Sequence, residues 1–262
     1  MCTVSWAATA EGYELLCNRD ERRTRKAALA PTVRTSRGVR FLAPTDAEAG
    51  GTWLAANEYG LTLCLLNRYP EGESQAAGEF KSRGLLLPEL MGLRDPAEVM
   101  PAVGRGGLSR FRPFTLLALA PGATPAAACW TGRRLLVRDG DDSLMPLTSS
   151  SFDTTEVVRA RRALFQSMAA GSTNRPTETH TRFHHSHGPG PGPLSVCMHR
   201  PDASTVSFSR VQVNAVSVEF YYQPGAPCAG ARGVRVSLPR ATGLLAWRSE
   251  TASRNRSRGV VA

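Results

Sequence analysis

The segment Leu61–Asn67 constrains the fold more than any other, because both faces of this strand-like stretch are mostly apolar. In GGTWLAANEYGLTLCLLNRYP, Thr52–Ala56 and Leu61–Asn67 have strand character, and Asn57–Gly60 between them has the composition of a turn. A strand that is apolar on both faces has to be covered on both sides. The sequence therefore predicts a layered protein with this hairpin in an internal sheet.

The other strand-like segments occur in runs and do not alternate one by one with helices. Apolar spacing predicts one helix over Ser82–Leu93 and a second over Thr154–Ala169, the latter capped by Asp153. The charged segment Asn18–Arg40 and the polar segment Asn174–Pro193 are predicted to be loops. Strands in runs with separate helices favour the α+β class.

The chain has 262 residues, 42% of them hydrophobic, which is enough for one large core. No linker separates two complete cores, so we expect a single domain over residues 1–262, with a frayed tail after about residue 248. The sequence has no apolar run of the roughly 18 residues that a membrane span needs, and it begins with no secretory signal. We therefore expect a cytoplasmic protein with no membrane span.

The formal net charge of +10 does not by itself predict a nucleic-acid partner. The only lysines are Lys26 and Lys81, and the arginines that supply the remaining charge are spread along the chain. Neither a zinc-finger spacing nor an aromatic RNA-binding signature accompanies them. We expect no nucleic-acid partner, although such a charge favours anionic small molecules.

The cysteine directly behind Met1 is the first candidate catalytic residue. Methionine is generally removed when the next residue is small, and removal would place a free α-amine on the residue that carries the Cys2 thiol. The amine, with a pKa of about 7.7–8.0, can accept the proton of a thiol whose pKa is about 8.5. The resulting thiolate can attack a carbonyl carbon and form an acyl-enzyme.

Such a nucleophile needs polar support, and the sequence offers candidates. Arg19 can favour the thiolate, Asp20 or Glu21 can supply a carboxylate, and Asn67 at the end of an apolar strand face can donate to an oxyanion. Each also has an ordinary structural interpretation. Cys2 can be a buried strand residue, Arg19 and Asp20 a surface ion pair, and Asn67 a turn residue.

The ordered motifs of the chain resemble those of a known family. MCTV, CNRDE, GGTWLAANEYGLTLCLLNRYP and the SRG of Ser82–Gly84 are similar to the motifs of the NRDE family, the family of the transport and Golgi organisation 2 protein. FRPFTLLAL, LTSSSFDTTEVVRARR and SVCMHR are similar to its later blocks, so the resemblance covers most of the chain.

The NRDE family in turn resembles the N-terminal nucleophile hydrolases, most nearly the choloylglycine hydrolase and penicillin V acylase group. The resemblance implies a four-layer αββα sandwich and hydrolysis of a linear amide bond through a thioester. It also implies roles for four residues of this chain, with Cys2 as the nucleophile, Arg19 and Asp20 as its polar support, and Asn67 as an oxyanion-hole donor.

Three positions depart from the pattern of the acylases. Their Arg and Asp are three residues apart, whereas Arg19 and Asp20 are adjacent and would face opposite ways on a strand, which leaves Glu21 as an alternative acid. Their block Leu-Thr-Asn is LTSSS here, which places Ser149 at the asparagine position. Arg200 and Arg210 are the two candidates for their C-terminal arginine.

The histidines of Asn174–Pro193 lack a cysteine or acidic partner at a recognised metal-ligand spacing, and His199 near Cys197 is not part of a haem-attachment motif. We therefore predict no metal site and assign no cofactor. The partner is predicted to be a small-molecule amide or a hydrophobic ligand, and the sequence leaves the oligomeric state open. The alternative function is a non-catalytic carrier or chaperone that holds a hydrophobic ligand, such as haem or an acyl group, in the same cleft.

Overall fold

A computed structural model describes residues 2–69, 79–139, 144–171 and 176–241 of the chain. Its strands are β1 (Cys2–Thr9), β2 (Gly12–Arg22), β3 (Leu29–Ser36), β4 (Val39–Thr45), β5 (Leu54–Asn57), β6 (Thr62–Asn67), β7 (Phe114–Leu119), β8 (Ala126–Trp130), β9 (Leu135–Asp139), β10 (Leu147–Thr148), β11 (Ala203–Val213), β12 (Ser217–Pro224) and β13 (Val234–Pro239). The α-helices are α1 (Leu86–Leu90), α2 (Pro96–Gly104), α3 (Thr154–Ala170) and α4 (Pro176–His185).

The strands form two antiparallel sheets. The first sheet has the order β10-β1-β2-β11-β12-β13, and the second has the order β3-β4-β5-β6-β7-β8-β9. Val4 and Leu15 from the first sheet pack with Leu54 and Leu117 from the second in one buried cluster, so the sheets lie face to face.

Helices cover the outer face of each sheet. Leu87 and Val99 of the helices α1 and α2 pack on the outer residues of the second sheet, such as Leu63. Helices α3 and α4 cover the first sheet, with a smaller apolar cluster that includes Phe165 and Phe183. The predicted α+β fold, a four-layer αββα sandwich, is confirmed. None of the described helices has the length and apolar character that crossing a membrane requires.

Several predicted elements are confirmed, and others are wrong for identifiable reasons. The hairpin and α3 occur as predicted, and the Asp153 carboxylate accepts the Glu156 N–H at 2.9 Å. The predicted helix over 82–93 is shorter, since a 3-10 turn precedes α1. The segment after Tyr69 and the tail beyond about residue 248 lie outside the described residues.

Both predicted loops contain regular structure. β2 continues to Arg22 because its charged end pairs with β11, where Asp20 finds a polar partner in Thr205, and β3 begins at Leu29. In the second predicted loop, α4 begins at Pro176, a residue that suits the first turn of a helix. Its buried residues recur at helical spacing, but histidine and threonine among them hide the apolar pattern.

Candidate active site

Cys2 lies at the start of β1, directly opposite Arg19 of β2. Its side chain faces the space between the two sheets, and the residue is only 4% exposed. Cys2 and Arg19 line a cavity of about 500 Å³, together with Glu21 of β2 and Asn67 of β6. The structure therefore brings three of the four predicted site residues, and the alternative acid, to one cavity.

The alternation of side chains along β2 separates Arg19 and Glu21 from Asp20. Arg19 and Glu21 both line the cavity, and their charged groups are 3.7 Å apart. The Arg19 guanidinium also lies 4.2 Å from the centre of the Trp53 ring, where a cation is attracted to the aromatic face. Geometry therefore favours Glu21 over Asp20 as the acid that accompanies Arg19.

Asp20 points to the opposite face of the sheet, towards the helices, and is 1% exposed. Its carboxylate accepts a hydrogen bond from the Thr205 hydroxyl at 2.7 Å and lies 3.4 Å from the Arg161 guanidinium of α3. Asp20 does not line the cavity, because adjacent residues of an extended strand face opposite ways. From this position Asp20 stabilises the packing of the helices on β2, and it does not face the Cys2 thiol.

Asp46 is a cavity residue that the sequence analysis missed. It accepts a hydrogen bond from Arg19 at 2.6 Å and hydrogen bonds from Arg25 at 3.0 Å. Burial disfavours the ionised form of Asp46 and by itself would raise its pKa. The pKa is nevertheless held below its usual value by hydrogen bonds and charges from the Ala49 N–H, the two guanidinium groups and the Glu48 N–H. Asp46 thus fixes Arg19 as a cation in the cavity wall.

The backbone of Cys2 is paired with Ser149 by two hydrogen bonds. The Cys2 N–H donates to the Ser149 hydroxyl at 3.0 Å, and the Ser149 N–H donates to the Cys2 carbonyl at 2.9 Å. Asn67 is half-buried at the end of β6, and its side-chain amide donates to the Tyr69 hydroxyl at 3.2 Å. An amide donor thus stands at the rim of the cavity that the thiol faces.

The Cys2 thiol lies in an environment that disfavours the thiolate. Its pKa is raised well above the ordinary value, first by the hydrogen bond with the Cys17 thiol and then by burial. A thiol with a raised pKa is protonated at neutral pH and is a poor nucleophile. Cys2 therefore needs a base close to its sulfur in order to react.

Two glycine motifs bring a further cation to the cavity. Gly51 and Gly84 lie against each other's backbone, and a Cβ added to Gly51 would lie 2.5 Å from the Gly84 carbonyl carbon. The Thr52 N–H donates to the Gly84 carbonyl at 3.0 Å. This contact places Arg83 in the cavity wall, where burial lowers the pKa of its guanidinium but leaves it charged at neutral pH.

The cavity is predominantly cationic. Among the described residues that line it, five are basic (Arg19, Arg25, Lys81, Arg83, Arg112) and two are acidic (Glu21, Asp46). A concave site lined by an excess of one charge concentrates ions of the opposite charge. The cavity is therefore suited to a small molecule with an anionic group.

Comparison with known proteins agrees with this architecture. The sequence profile of the family described as transport and Golgi organisation 2 matches residues 1–186. The chain belongs to this family. A sequence comparison with curated proteins gives no significant match.

Solved structures with a similar fold are N-terminal nucleophile hydrolases at low sequence identity. Penicillin V acylase from Agrobacterium tumefaciens is 12% identical, with a TM-score of 0.52 over 86% of this chain and 83% of that one. An N-acylethanolamine-hydrolyzing acid amidase orthologue from Caenorhabditis elegans is 12% identical, with a TM-score of 0.56 over 80% and 92%. A mutant of conjugated bile acid hydrolase from Clostridium perfringens is 12% identical, with a TM-score of 0.51 over 91% and 92%. These similarities show the fold.

Arg200 and Arg210 were the candidates for the acylases' C-terminal arginine. Neither of them lines the cavity that Cys2 faces. Arg200 pairs with Asp202, and Arg210 pairs with Glu14. The buried arginine that the sequence analysis missed is Arg161, because a single arginine among several on α3 looks like part of a solvated helix face.

Proposed function

We propose that the chain is an N-terminal cysteine amidohydrolase that cleaves a linear amide bond of an anionic substrate once Met1 has been removed. The observation that carries the proposal is the position of Cys2, whose thiol faces a cationic cavity while its backbone nitrogen is held by Ser149. Removal of Met1 would convert that nitrogen into an α-amine beside the thiol. The buried thiol would then have the base that it needs.

In the proposed reaction the α-amine takes the thiol proton, and the Cys2 sulfur attacks the amide carbonyl carbon. Asn67 donates to the oxyanion that forms, and Arg19 stabilises negative charge near the sulfur. The carbon–nitrogen bond breaks as the leaving amine receives the proton from the α-ammonium group. Water, deprotonated by the α-amine, then attacks the thioester, releasing the carboxylic acid and restoring the thiol.

Ser149 and the Arg19–Asp46 pair orient these groups. The Ser149 hydroxyl, which accepts the Cys2 N–H at 3.0 Å, would accept a hydrogen bond from the α-amine and hold its lone pair towards the sulfur. Asp46 keeps the Arg19 guanidinium in the cavity wall at 2.6 Å. The proposed chemistry requires a reduced thiol, which agrees with a cytoplasmic location.

The alternative, a carrier for a hydrophobic ligand, has less support at this cavity. Its lining holds five basic and two acidic residues among those described, and charged walls favour a polar or anionic ligand. A carrier would keep its ligand affinity when Cys2 is replaced. The two functions therefore differ in their response to one substitution.

The first test is the intact mass of the purified chain, followed by hydrolysis assays with penicillin V, a conjugated bile acid and an N-acylethanolamine. We expect Met1 to be absent, and we expect the two anionic probes to be hydrolysed faster than the neutral ethanolamide. Cys2→Ala should lower turnover at least about 1,000-fold, as loss of a nucleophile does in other hydrolases. Cys129→Ser, at a half-exposed cysteine of β8 that does not line the cavity, is the matched control and should retain turnover.

Retention of Met1 on essentially every molecule would refute the self-activating mechanism. Turnover by Cys2→Ala at the wild-type rate would refute the role of the thiol. Binding of an acyl ligand that is unchanged in Cys2→Ala, with no hydrolysis by either protein, would favour the carrier.

A further inference from the structure

Four side chains that can bind a metal meet outside the Cys2 cavity. His187 follows α4, Cys197 and His199 precede β11, and Cys228 lies in the 3-10 turn Pro227–Ala229 between β12 and β13. One ligand atom from each of the four lies within 4.8 Å of all the others. None of the four lines the cavity that Cys2 faces.

Three of the six separations between these atoms are close to those of a tetrahedral metal site. The two Nε2 atoms of His187 and His199 are 3.2 Å apart, and the His199 Nε2 is 3.5 Å from the Cys197 sulfur and 3.4 Å from the Cys228 sulfur. With Zn–N bonds of about 2.0–2.1 Å and Zn–S bonds of about 2.3 Å, tetrahedral geometry separates neighbouring ligand atoms by about 3.3–3.8 Å. The other three separations are no more than 4.8 Å, so an ion at the centre would draw those side chains closer together.

We propose that His187, Cys197, His199 and Cys228 form a structural zinc site. Two thiols and two imidazoles are the ligand set of a closed four-coordinate zinc site, in which no position remains for a substrate or a catalytic water. The set contains no oxygen ligand, so it would bind Mg²⁺ and Ca²⁺ poorly. Binding of Zn²⁺ would release the two thiol protons and give an electrically neutral centre.

The bound ion would connect three segments that regular secondary structure leaves unjoined. It would tie the end of α4 and the segment before β11 to the turn between β12 and β13. Hydrogen bonds already order this region, since the Cys197 N–H donates to the Ser186 carbonyl at 2.9 Å and the Met198 N–H donates to the Thr205 hydroxyl at 2.8 Å. The same Thr205 hydroxyl donates to Asp20, so the site would stiffen the support behind β2.

Sequence spacing alone led to the opposite expectation of no metal site. His187 belongs to one histidine-rich segment, and Cys197 and His199 belong to another segment. Cys228 lies far along the chain from both. The fold joins them because β11 and β12 form an antiparallel pair that returns Cys228 to the start of β11. This inference is independent of the hydrolase proposal.

The test is metal analysis of the full chain purified under reducing conditions, followed by chelation and titration with Co²⁺ and Zn²⁺. We expect about one zinc per chain as purified. Bound Co²⁺ should show the strong visible bands of tetrahedral coordination and a thiolate-to-cobalt charge-transfer band, both displaced by Zn²⁺. Cys228→Ser removes an exposed ligand without disturbing the core and should weaken zinc affinity at least about 100-fold.

Cys129→Ser is the matched control, because Cys129 is a half-exposed cysteine of the other sheet. It should bind Co²⁺ and Zn²⁺ as the wild type does. Equal metal content and equal cobalt spectra in Cys228→Ser and the wild type would overturn the proposal. A Cys197–Cys228 disulfide in chains prepared with reductant, with no bound metal, would overturn it as well.

Discussion

The two faces of the β1–β2 hairpin carry similar polar side chains but place them in different surroundings. We call the face with Cys2, Arg19 and Glu21 the cavity face, and the face with Asn18 and Asp20 the helix face. On the cavity face, the charged groups border a space of about 500 Å³. On the helix face, the same strand buries its polar groups completely, and Asn18 donates to two backbone carbonyls at 2.9 and 3.0 Å.

The difference shows that the residue type does not determine whether a polar side chain has a chemical or a structural role. Arg19 and Arg161 are both buried arginines with a carboxylate partner. Arg19 has an open cavity beside it, whereas the Arg161 guanidinium donates hydrogen bonds to Thr3, Asp20 and the Ser195 carbonyl. Substitutions on the helix face should therefore mainly change stability, and those on the cavity face should mainly change reactivity.

The largest expected effect is on the helix face. Arg161→Ala would remove the guanidinium that pairs with the buried Asp20 carboxylate and that donates to the backbone carbonyls of Pro193 and Ser195. We expect the free energy of unfolding to fall by about 3–5 kcal/mol, as when one partner of a buried ion pair is removed. Urea titration followed by circular dichroism measures it.

Arg159→Ala is the control, since Arg159 is an exposed arginine on the same helix. It should change the free energy of unfolding by less than about 0.5 kcal/mol. A loss for Arg161→Ala as small as that of Arg159→Ala would show that the helix face is not the rigid support described here.

A smaller effect should separate the two neighbouring acids of β2. Asp20→Asn replaces a buried charged acceptor by an amide and should cost about 1–3 kcal/mol of unfolding free energy. Glu21→Gln, at the rim of the cavity, should cost less than about 0.5 kcal/mol but should lower kcat/KM for a hydrolysed probe about tenfold. The two measurements are urea titration and steady-state hydrolysis of the same probe. The reverse pattern, with Glu21 controlling stability and Asp20 turnover, would contradict the assignment of the faces.

Part of this comparison could be predicted from the sequence, because it depends on local periodicity. The two-sided apolar pattern of β6 predicts the layered fold, and adjacent residues such as Arg19 and Asp20 face opposite ways on any extended segment. The sequence did not predict that this segment is a strand, because its charged composition indicated a loop from Asn18 onwards. The sequence analysis could not predict the partners, because Asp46 and Arg161 reach the hairpin only through tertiary packing. A surface ion pair and a buried one have the same composition, so nothing local marked either residue.

The smallest expected effect tests how Asp46 holds the cavity face. Its pKa is lowered against the opposing effect of burial, by the backbone N–H groups of Ala49 and Glu48 and by the guanidinium groups of Arg19 and Arg25. A carboxyl whose pKa is lower in the folded state stabilises the fold above the unfolded pKa of about 3.9, and this contribution disappears as pH falls through the folded pKa.

Asp46→Asn should therefore cost about 1–2 kcal/mol at pH 7, and the difference from the wild type should shrink below about pH 4. Urea titrations of both proteins between pH 7 and pH 3 measure this difference. If it stays constant over the whole range, the hydrogen bonds of Asp46 and not its charge hold Arg19, and the cavity face would resemble the helix face more closely than the structure indicates.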